Sequence, residues 1–277
     1  MRYGFAVVGG DGRMARLAAR LSADGRSAAR FAGAPPPELE ADFVILPLPL
    51  SSREGFLNAP EAEAPVPLEA VFPALGGAKA VFAGRVDAAS RALAEKAGIE
   101  LLDYYEREEL AVLNAAATAE GAVMLAMRET AGTLCRARAL IAGFGRIGRL
   151  LALRLRALGA EVTAAARSPA DRAWAEAFGC RAAELTELPA LARRADVVFN
   201  TAPAPLFTEG VLASLPDETP LIDLASRPGG TDFEAAARLG KRVVWALSLP
   251  GEAAPEAAGA AIGRAVLGML AERGLRP

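Results

Sequence analysis

The sequence predicts an α/β protein built from two doubly wound parallel-sheet domains with a cleft between them. Short apolar strands alternate with helical patterns along nearly the whole chain, and they do so in two series separated by one long helical stretch. The strands are close to continuously apolar, as expected for parallel sheets covered on both faces. At 277 residues the chain is long enough for two domains, each with its own core.

The first series reads YGFAVVGG, AARFAG, DFVILPLPL, KAVFAG and IELLDYY, with helix-like stretches such as GRMARLAARLSADG and ASRALAEKAG between them. REELAVLNAAATAEGAVMLAMRETAGTL follows, with apolar residues at helical spacing, and reads as the helix joining the domains. The second series repeats the plan with RALIAGFG, EVTAAARS, CRAAE, ADVVFNTAP, TPLIDLAS and RVVWALSLP. Its helices GRLLALRLRALG and ADRAWAEAFG end at Gly159 and Gly179, where C-terminal caps belong. The amphipathic tail PEAAGAAIGRAVLGMLAERGL is expected to return to the first domain. The predicted domains are therefore 1–114 completed by 252–277, and 115–251.

Composition removes several function classes. The formal charge is −2 and no free-standing basic block occurs, so nucleic-acid binding has little electrostatic support. Histidine is absent, which removes imidazole as base, nucleophile activator and metal ligand. Cys135 and Cys180 are far apart and form no metal or disulfide pattern, which fits a reducing cytoplasm. The N-terminus reads as a first strand, and no apolar run approaches the roughly 20 residues of a membrane span.

The most specific motif is ALIAGFGRIGRLLALRLRALGAEVTAAARS. Gly143-Phe144-Gly145-Arg146-Ile147-Gly148 follows a strand and opens a helix. Gly143 permits the tight turn, Gly145 lets a pyrophosphate approach the backbone, and Gly148 lets helix and strand pack. The next strand ends in Arg167-Ser168, where an NAD-specific site usually carries an acid against the ribose 2′-hydroxyl. An arginine and a hydroxyl suit a 2′-phosphate, so the expected cofactor is NADP. Asn200, Thr201 and Pro203 end the fourth strand of this series, where ribose and nicotinamide would pass; the alternative is an ordinary strand end. VVGGDGRMARL reads as a substrate-facing loop or as tight packing.

LIDLASRPGGTDF ends a strand on Leu224 and Ala225, expected on the cofactor side, and empties into Ser226, Arg227, Pro228, Gly229 and Gly230. In such sheets ligands bind outside the carboxyl ends of strands. Arg227 there suits a bidentate carboxylate clamp, with Ser226 and the N–H groups of Gly229 and Gly230 as further donors. A surface arginine on a plain turn is the alternative.

Together VVGGDGR, YEREELAVLNAAATAEGAVMLA, GFGRIG with AARS, DLASRPGGTDF and LPGEAAPEAAG resemble the family of dipicolinate synthase A subunits over nearly the whole chain, DLASRPGGTDF most specifically. The resemblance implies two domains like those of the 2-hydroxyacid dehydrogenases and NADP-linked oxidation of a dihydrodipicolinate to the pyridine dicarboxylate of bacterial endospores. It also implies a partner, the flavoprotein-like B subunit. The histidine acid-base of those dehydrogenases has no counterpart here, and aromatisation is expected to supply much of the driving force. On this reading Arg227 and the SRPGG turn meet the dicarboxylate with Ser51 and Ser52. Glu120 is the candidate proton acceptor, with Asn114 and Thr118 on its helix face; the alternative is a helix glutamate paired with an arginine. A non-catalytic nucleotide-binding regulatory or scaffolding subunit is the second functional reading, and homo-oligomerisation stays open.

Overall fold

The structure, a computed structural model, describes residues 3–275. They divide into two compact units. One comprises the described residues up to Asn114 together with those from Ala254 onward; the other is Ala115–Ala253.

The first unit begins β1 (Tyr3–Val8), α1 (Gly12–Ala23), β2 (Ala28–Phe31), β3 (Ala41–Ile45), β4 (Ser51–Arg53), β5 (Phe56–Leu57) and α2 (Leu68–Val71). It continues with β6 (Ala80–Ala83), α3 (Ala88–Lys96), β7 (Leu101–Asp103) and the first residues of α4 (Glu108–Glu129). Its five-stranded sheet is parallel throughout, in the order β2-β1-β3-β6-β7. Strand alternation serves two cores: Phe5 and Val7 face Met14 and Leu17, while Ala6 and Val8 belong with Leu57, Val71 and Phe72. After β3 the chain forms the antiparallel hairpin β4–β5, which carries Ser51 and Ser52.

Asp11 starts α1 by accepting from the Arg13 N–H, and the buried stripe Met14, Leu17 and Leu21 faces the sheet. In the same unit the tail forms α11 (Pro255–Glu272), packed on α1. A Cβ on Gly259 would lie 2.5 Å from the Arg13 carbonyl oxygen, so the helices meet backbone to backbone.

The second unit holds the rest of α4, then β8 (Arg138–Ala142), α5 (Arg146–Ala157), β9 (Glu161–Ala165), α6 (Pro169–Ala177), β10 (Arg181–Ala183) and α7 (Leu188–Ala192). After these come β11 (Val197–Asn200), α8 (Glu209–Leu212), β12 (Leu221–Asp223), α9 (Phe233–Arg238), β13 (Val243–Trp245) and α10 (Leu249–Ala253). All six strands are parallel, in the order β10-β9-β8-β11-β12-β13. The order reverses between β8 and β11, which makes their carboxyl ends the topological switch point. Ile141, Phe199 and Ile222 serve one core face; Leu140, Val198 and Leu221 serve the other. α10 stays with this unit, where Leu249 and Ala253 come within 3.3 Å of the place a Gly121 Cβ would take.

By length and composition α4 is apolar enough to cross a membrane, with a mean hydropathy of 1.6, contrary to the sequence expectation of no such stretch. Half of that window is buried, and Ala119, Ala122, Leu125 and Ala126 lie in the second unit's core.

Candidate functional site

The site grows from the glycine turn that follows β8. Gly143 adopts φ +93°, and a Cβ there would lie 2.6 Å from Thr201 Oγ1. A Cβ on Gly148 would lie 2.5 Å from the Gly143 carbonyl oxygen. Both glycines are required by the protein's own packing. Gly145 differs: it has φ −76° as the N-cap of α5, and a Cβ would meet nothing within 4 Å. No side chain caps α5, and the space over its N-cap Gly145 is open. That combination fits a pyrophosphate approaching the backbone at the positive end of a helix. Phe144 is buried against the core, and its carbonyl accepts from Arg149 Nε at 3.0 Å. Arg146 and Ile147 form the first turn of α5.

β9 ends at Ala165, and Arg167 follows it, exposed. Among the described residues no hydrogen bond or ion pair engages its guanidinium. Its carbonyl, like that of Ala166, accepts from Arg172 Nη1, which pins the exit. Ser168 Oγ accepts from the Asp171 N–H at 3.4 Å as the N-cap of α6, so this hydroxyl has a structural duty alongside its predicted one. The nearest acid in sequence, Asp171, is taken by Arg149 Nη2 at 2.9 Å.

At the carboxyl edge of the sheet Ala142, Asn200, Asp223 and Trp245 are successive register partners across β8, β11, β12 and β13. Asn200 and Asp223 are fully buried. Asp223 Oδ1 accepts from Asn200 Nδ2 at 3.0 Å and from the Ala225 N–H at 2.9 Å. Oδ2 accepts from the Gly230 N–H at 3.0 Å and the Thr231 hydroxyl at 2.7 Å. Four donors around one carboxylate offset the cost of burying its charge. Asn200 Oδ1 in turn accepts from the Ala202 N–H at 3.2 Å, and Thr201 Oγ1 donates back to the Ala142 carbonyl at 3.1 Å. Pro203 is exposed in the loop that follows.

This network explains why the strand empties into SRPGG. A Cβ on Gly230 would lie 2.2 Å from Asn200 Nδ2 and within 2.7 Å of two carbonyl oxygens. Gly229 has φ +89° over the stacked rings of Phe233 and Trp245. Leu224 and Ala225 are buried, with Leu224 N–H donating to Asn200 O at 2.8 Å. Ser226 and Arg227 are exposed, and the Arg227 guanidinium lies 5.0 Å from the Trp245 ring centre. Contrary to expectation, the Gly229 and Gly230 N–H groups are consumed inside the turn, by Ser226 O and Asp223 Oδ2. They are not donors for a ligand.

The remaining predicted residues fall elsewhere. Ser51 donates to Asp87 Oδ2 at 2.5 Å and Ser52 to the Leu57 carbonyl at 3.4 Å, both within the first unit. A serine hydroxyl has one hydrogen, so neither can donate to a substrate carboxylate without breaking these bonds. Burial works to raise the Asp87 carboxyl, but the Ser51 hydroxyl and the Ser90 N–H and hydroxyl outweigh it and hold the group below the ordinary value. Glu120 is 62% exposed and ion-paired to Arg154 Nη2 at 2.8 Å, which matches the alternative reading of a helix glutamate. Thr118 is buried and Asn114 half-buried on α4. They do not share the Glu120 face, because two residues of helix turn the direction by about 200° and six by about 240°.

VVGGDGR is a packed turn. A Cβ on Gly10 would lie 2.2 Å from Met14 Cγ. Arg13 forks onto Asp11, and its Nη2 also donates to Leu48 O at 2.7 Å. Burial works to raise the Asp11 carboxyl; the Arg13 side chain and N–H outweigh it and keep it below its ordinary 3.8. Both cysteines are free, and among the described residues no cluster of metal-ligating side chains occurs. Sequence reasoning missed Asp223, Thr231 and Trp245. An acidic residue closing an apolar strand just before a glycine turn was the available signal for the first of these.

Residues 4–105 match the N-terminal domain of the dipicolinate synthase A subunit, and residues 102–227 match the NAD-binding domain of D-isomer specific 2-hydroxyacid dehydrogenases. The second match, with the glycine turn, identifies the second unit as a pyridine-nucleotide-binding domain of oxidoreductase type. The chain is 33% identical over 237 residues to the dipicolinate synthase A subunit of Bacillus subtilis strain 168, covering 85% of this chain and 80% of that one. Among solved structures, the dipicolinate synthase A subunit from Bacillus halodurans is 27% identical with a TM-score of 0.85, covering 98% of this chain and 99% of that one. Its counterpart from Bacillus subtilis is 30% identical with a TM-score of 0.83, covering 98% and 97%. A transhydrogenase from Sinorhizobium meliloti, 19% identical with a TM-score of 0.73 over 97% and 84%, shares the fold. By identity and coverage, the chain belongs to the family of dipicolinate synthase A subunits.

Proposed function

We propose that the chain oxidises a dihydrodipicolinate to dipicolinate with NADP+, in the cytoplasm and together with a second subunit. The observation that supports this most is the carboxyl edge of the second sheet. There an open glycine turn suited to a dinucleotide and a turn displaying Arg227 hang on one row of paired strand ends. The backbone from Phe144 to Gly148 would hold the pyrophosphate, and the unengaged Arg167 guanidinium would take a 2′-phosphate. A bound NADP+ supplies the hydride acceptor.

The chain's own residues bind and orient. Arg227 holds one substrate carboxylate by its planar fork, beside the end of β12. Asn200, locked through both ends of its amide, ties the loop after β11 to the end of β12. With no histidine present and Glu120 paired to Arg154, the proton that leaves the ring passes to water, and aromatisation makes a strong base unnecessary. The test is turnover by the purified chain alone with NADP+ and enzymatically generated dihydrodipicolinate. NADPH should appear in step with dipicolinate. Nucleotide binding without turnover would instead support a regulatory subunit.

A further inference from the structure

We propose that Asp223 and Trp245 are positioning residues that hold the Arg227 guanidinium ready for a substrate carboxylate, an inference that rests on assigning Arg227 to that carboxylate. The two are register partners on β12 and β13, and both hold the turn that carries Arg227. Asp223 fixes both feet of the turn. Its Oδ1 takes the Ala225 N–H, two residues before Arg227, and its Oδ2 takes the Gly230 N–H and the Thr231 hydroxyl after it. Asn200 Nδ2 supplies the fourth donor and ties the carboxylate to the end of β11.

Trp245 fixes the side chain. Its Nε1 donates to the Ala225 carbonyl at 3.0 Å, so the indole is anchored to the foot that Asp223 also holds. Phe233 stacks against it with ring centres 4.6 Å apart, and the Arg227 guanidinium lies 5.0 Å from its centroid. Gly229 leaves the room for this, since a Cβ there would approach Phe233 to 3.1 Å and Trp245 to 3.4 Å. An arginine held by an aromatic ring is restrained without using its N–H donors. Among the described residues no carboxylate engages Arg227. Its fork is therefore both oriented and unsatisfied, the state suited to a bidentate anion.

The experiment uses the full chain with NADP+ bound and reads two quantities: the affinity for dipicolinate by calorimetric titration, and KM and kcat for dihydrodipicolinate. Trp245→Leu should weaken dipicolinate binding and raise KM by about three- to tenfold, leaving kcat and NADP+ affinity within about twofold. Trp245→Phe keeps a ring under the guanidinium but loses the Nε1 anchor to the Ala225 carbonyl, and should recover part of the loss. Asp223→Asn should weaken dipicolinate more strongly. The Asn200→Asp/Asp223→Asn double variant, which restores a donor opposite an acceptor, should recover part. Arg227→Ala runs alongside as reference. If it binds dipicolinate like the unaltered protein, the carboxylate assignment fails and the positioning role falls with it. If it loses dipicolinate while Trp245→Leu and Asp223→Asn keep full affinity, Arg227 stands and the positioning role is overturned. Equal losses in Trp245→Leu and Trp245→Phe, or a parallel loss of NADP+ affinity, would overturn it as well.

Discussion

Replacing Gly145 with alanine separates a glycine kept for a ligand from glycines kept for the fold. At φ −76° with no atom within 4 Å of the new Cβ, the substitution has no native strain to create. Stability should change by no more than about 0.5 kcal/mol, or rise slightly through a less flexible unfolded chain. Gly143→Ala forces a side chain into φ +93° and 2.6 Å from Thr201 Oγ1; Gly148→Ala drives a methyl to 2.5 Å from a carbonyl oxygen. Strain and overpacking together put each at about 2–4 kcal/mol, or roughly 5–15 °C in Tm. The added methyl at Gly145 would stand where the pyrophosphate approaches, so NADP+ affinity should fall at least about tenfold with the fold intact. Thermal unfolding with calorimetric titration of NADP+ reads both effects. A Gly145→Ala protein that melts normally and binds NADP+ normally would rule out a pyrophosphate at Gly145, and one that melts as early as Gly143→Ala would show that Gly145 is kept for the fold.

Three further outcomes are expected. Arg167→Ala should weaken NADP+ by about ten- to a hundredfold and leave NAD+ nearly unchanged, as measured by paired titrations; equal losses would contradict the 2′-phosphate assignment. Gly230→Ala, whose methyl meets Asn200 Nδ2 at 2.2 Å, should lower Tm and destroy dipicolinate binding together, and a normal melt would show that the Asp223 network tolerates being pushed apart. Asp11→Asn keeps an N-cap side chain on α1 but loses the charged fork to Arg13, and should cost about 1 kcal/mol at neutral pH. The folded carboxyl titrates below 3.8, so its stabilisation is whole above that pH and is lost as pH falls through the folded value. The gap between the two proteins in pH-dependent melts should therefore close in acid, and a constant gap would contradict it.

Strands and glycine turns were legible because their causes are local. A continuous apolar run such as ALIAG has few alternatives to a buried strand, and G-x-G-x-x-G between a strand and a helix marks a turn by spacing alone. Gly159 and Gly179, at φ +84° and +70°, end their helices where the periodicity stops. What escaped depends on partners distant in sequence. Ser51 meets Asp87 36 positions later, and Trp245 meets the Ala225 carbonyl 20 positions back. Neither chain segment announces the other. For Asp223 the distant partner is Asn200 at the end of β11, 23 positions back; its other three donors lie within eight residues, in the turn after β12, and only the folded turn brings them round one carboxylate. The Glu120 grouping was an error of spacing that helical geometry alone could have corrected.

On the proposed function, Arg227 receives a substrate carboxylate beside a nucleotide held by the same sheet. It is tested most directly by kcat/KM for dihydrodipicolinate in Arg227→Lys and Arg227→Ala, measured with NADP+ affinity on the same preparations. Lysine keeps the charge but loses the planar fork, and alanine loses both, so kcat/KM should fall in each and further in alanine, with NADP+ affinity unchanged. Normal turnover in both variants, or loss of NADP+ affinity in parallel with activity, would contradict the account.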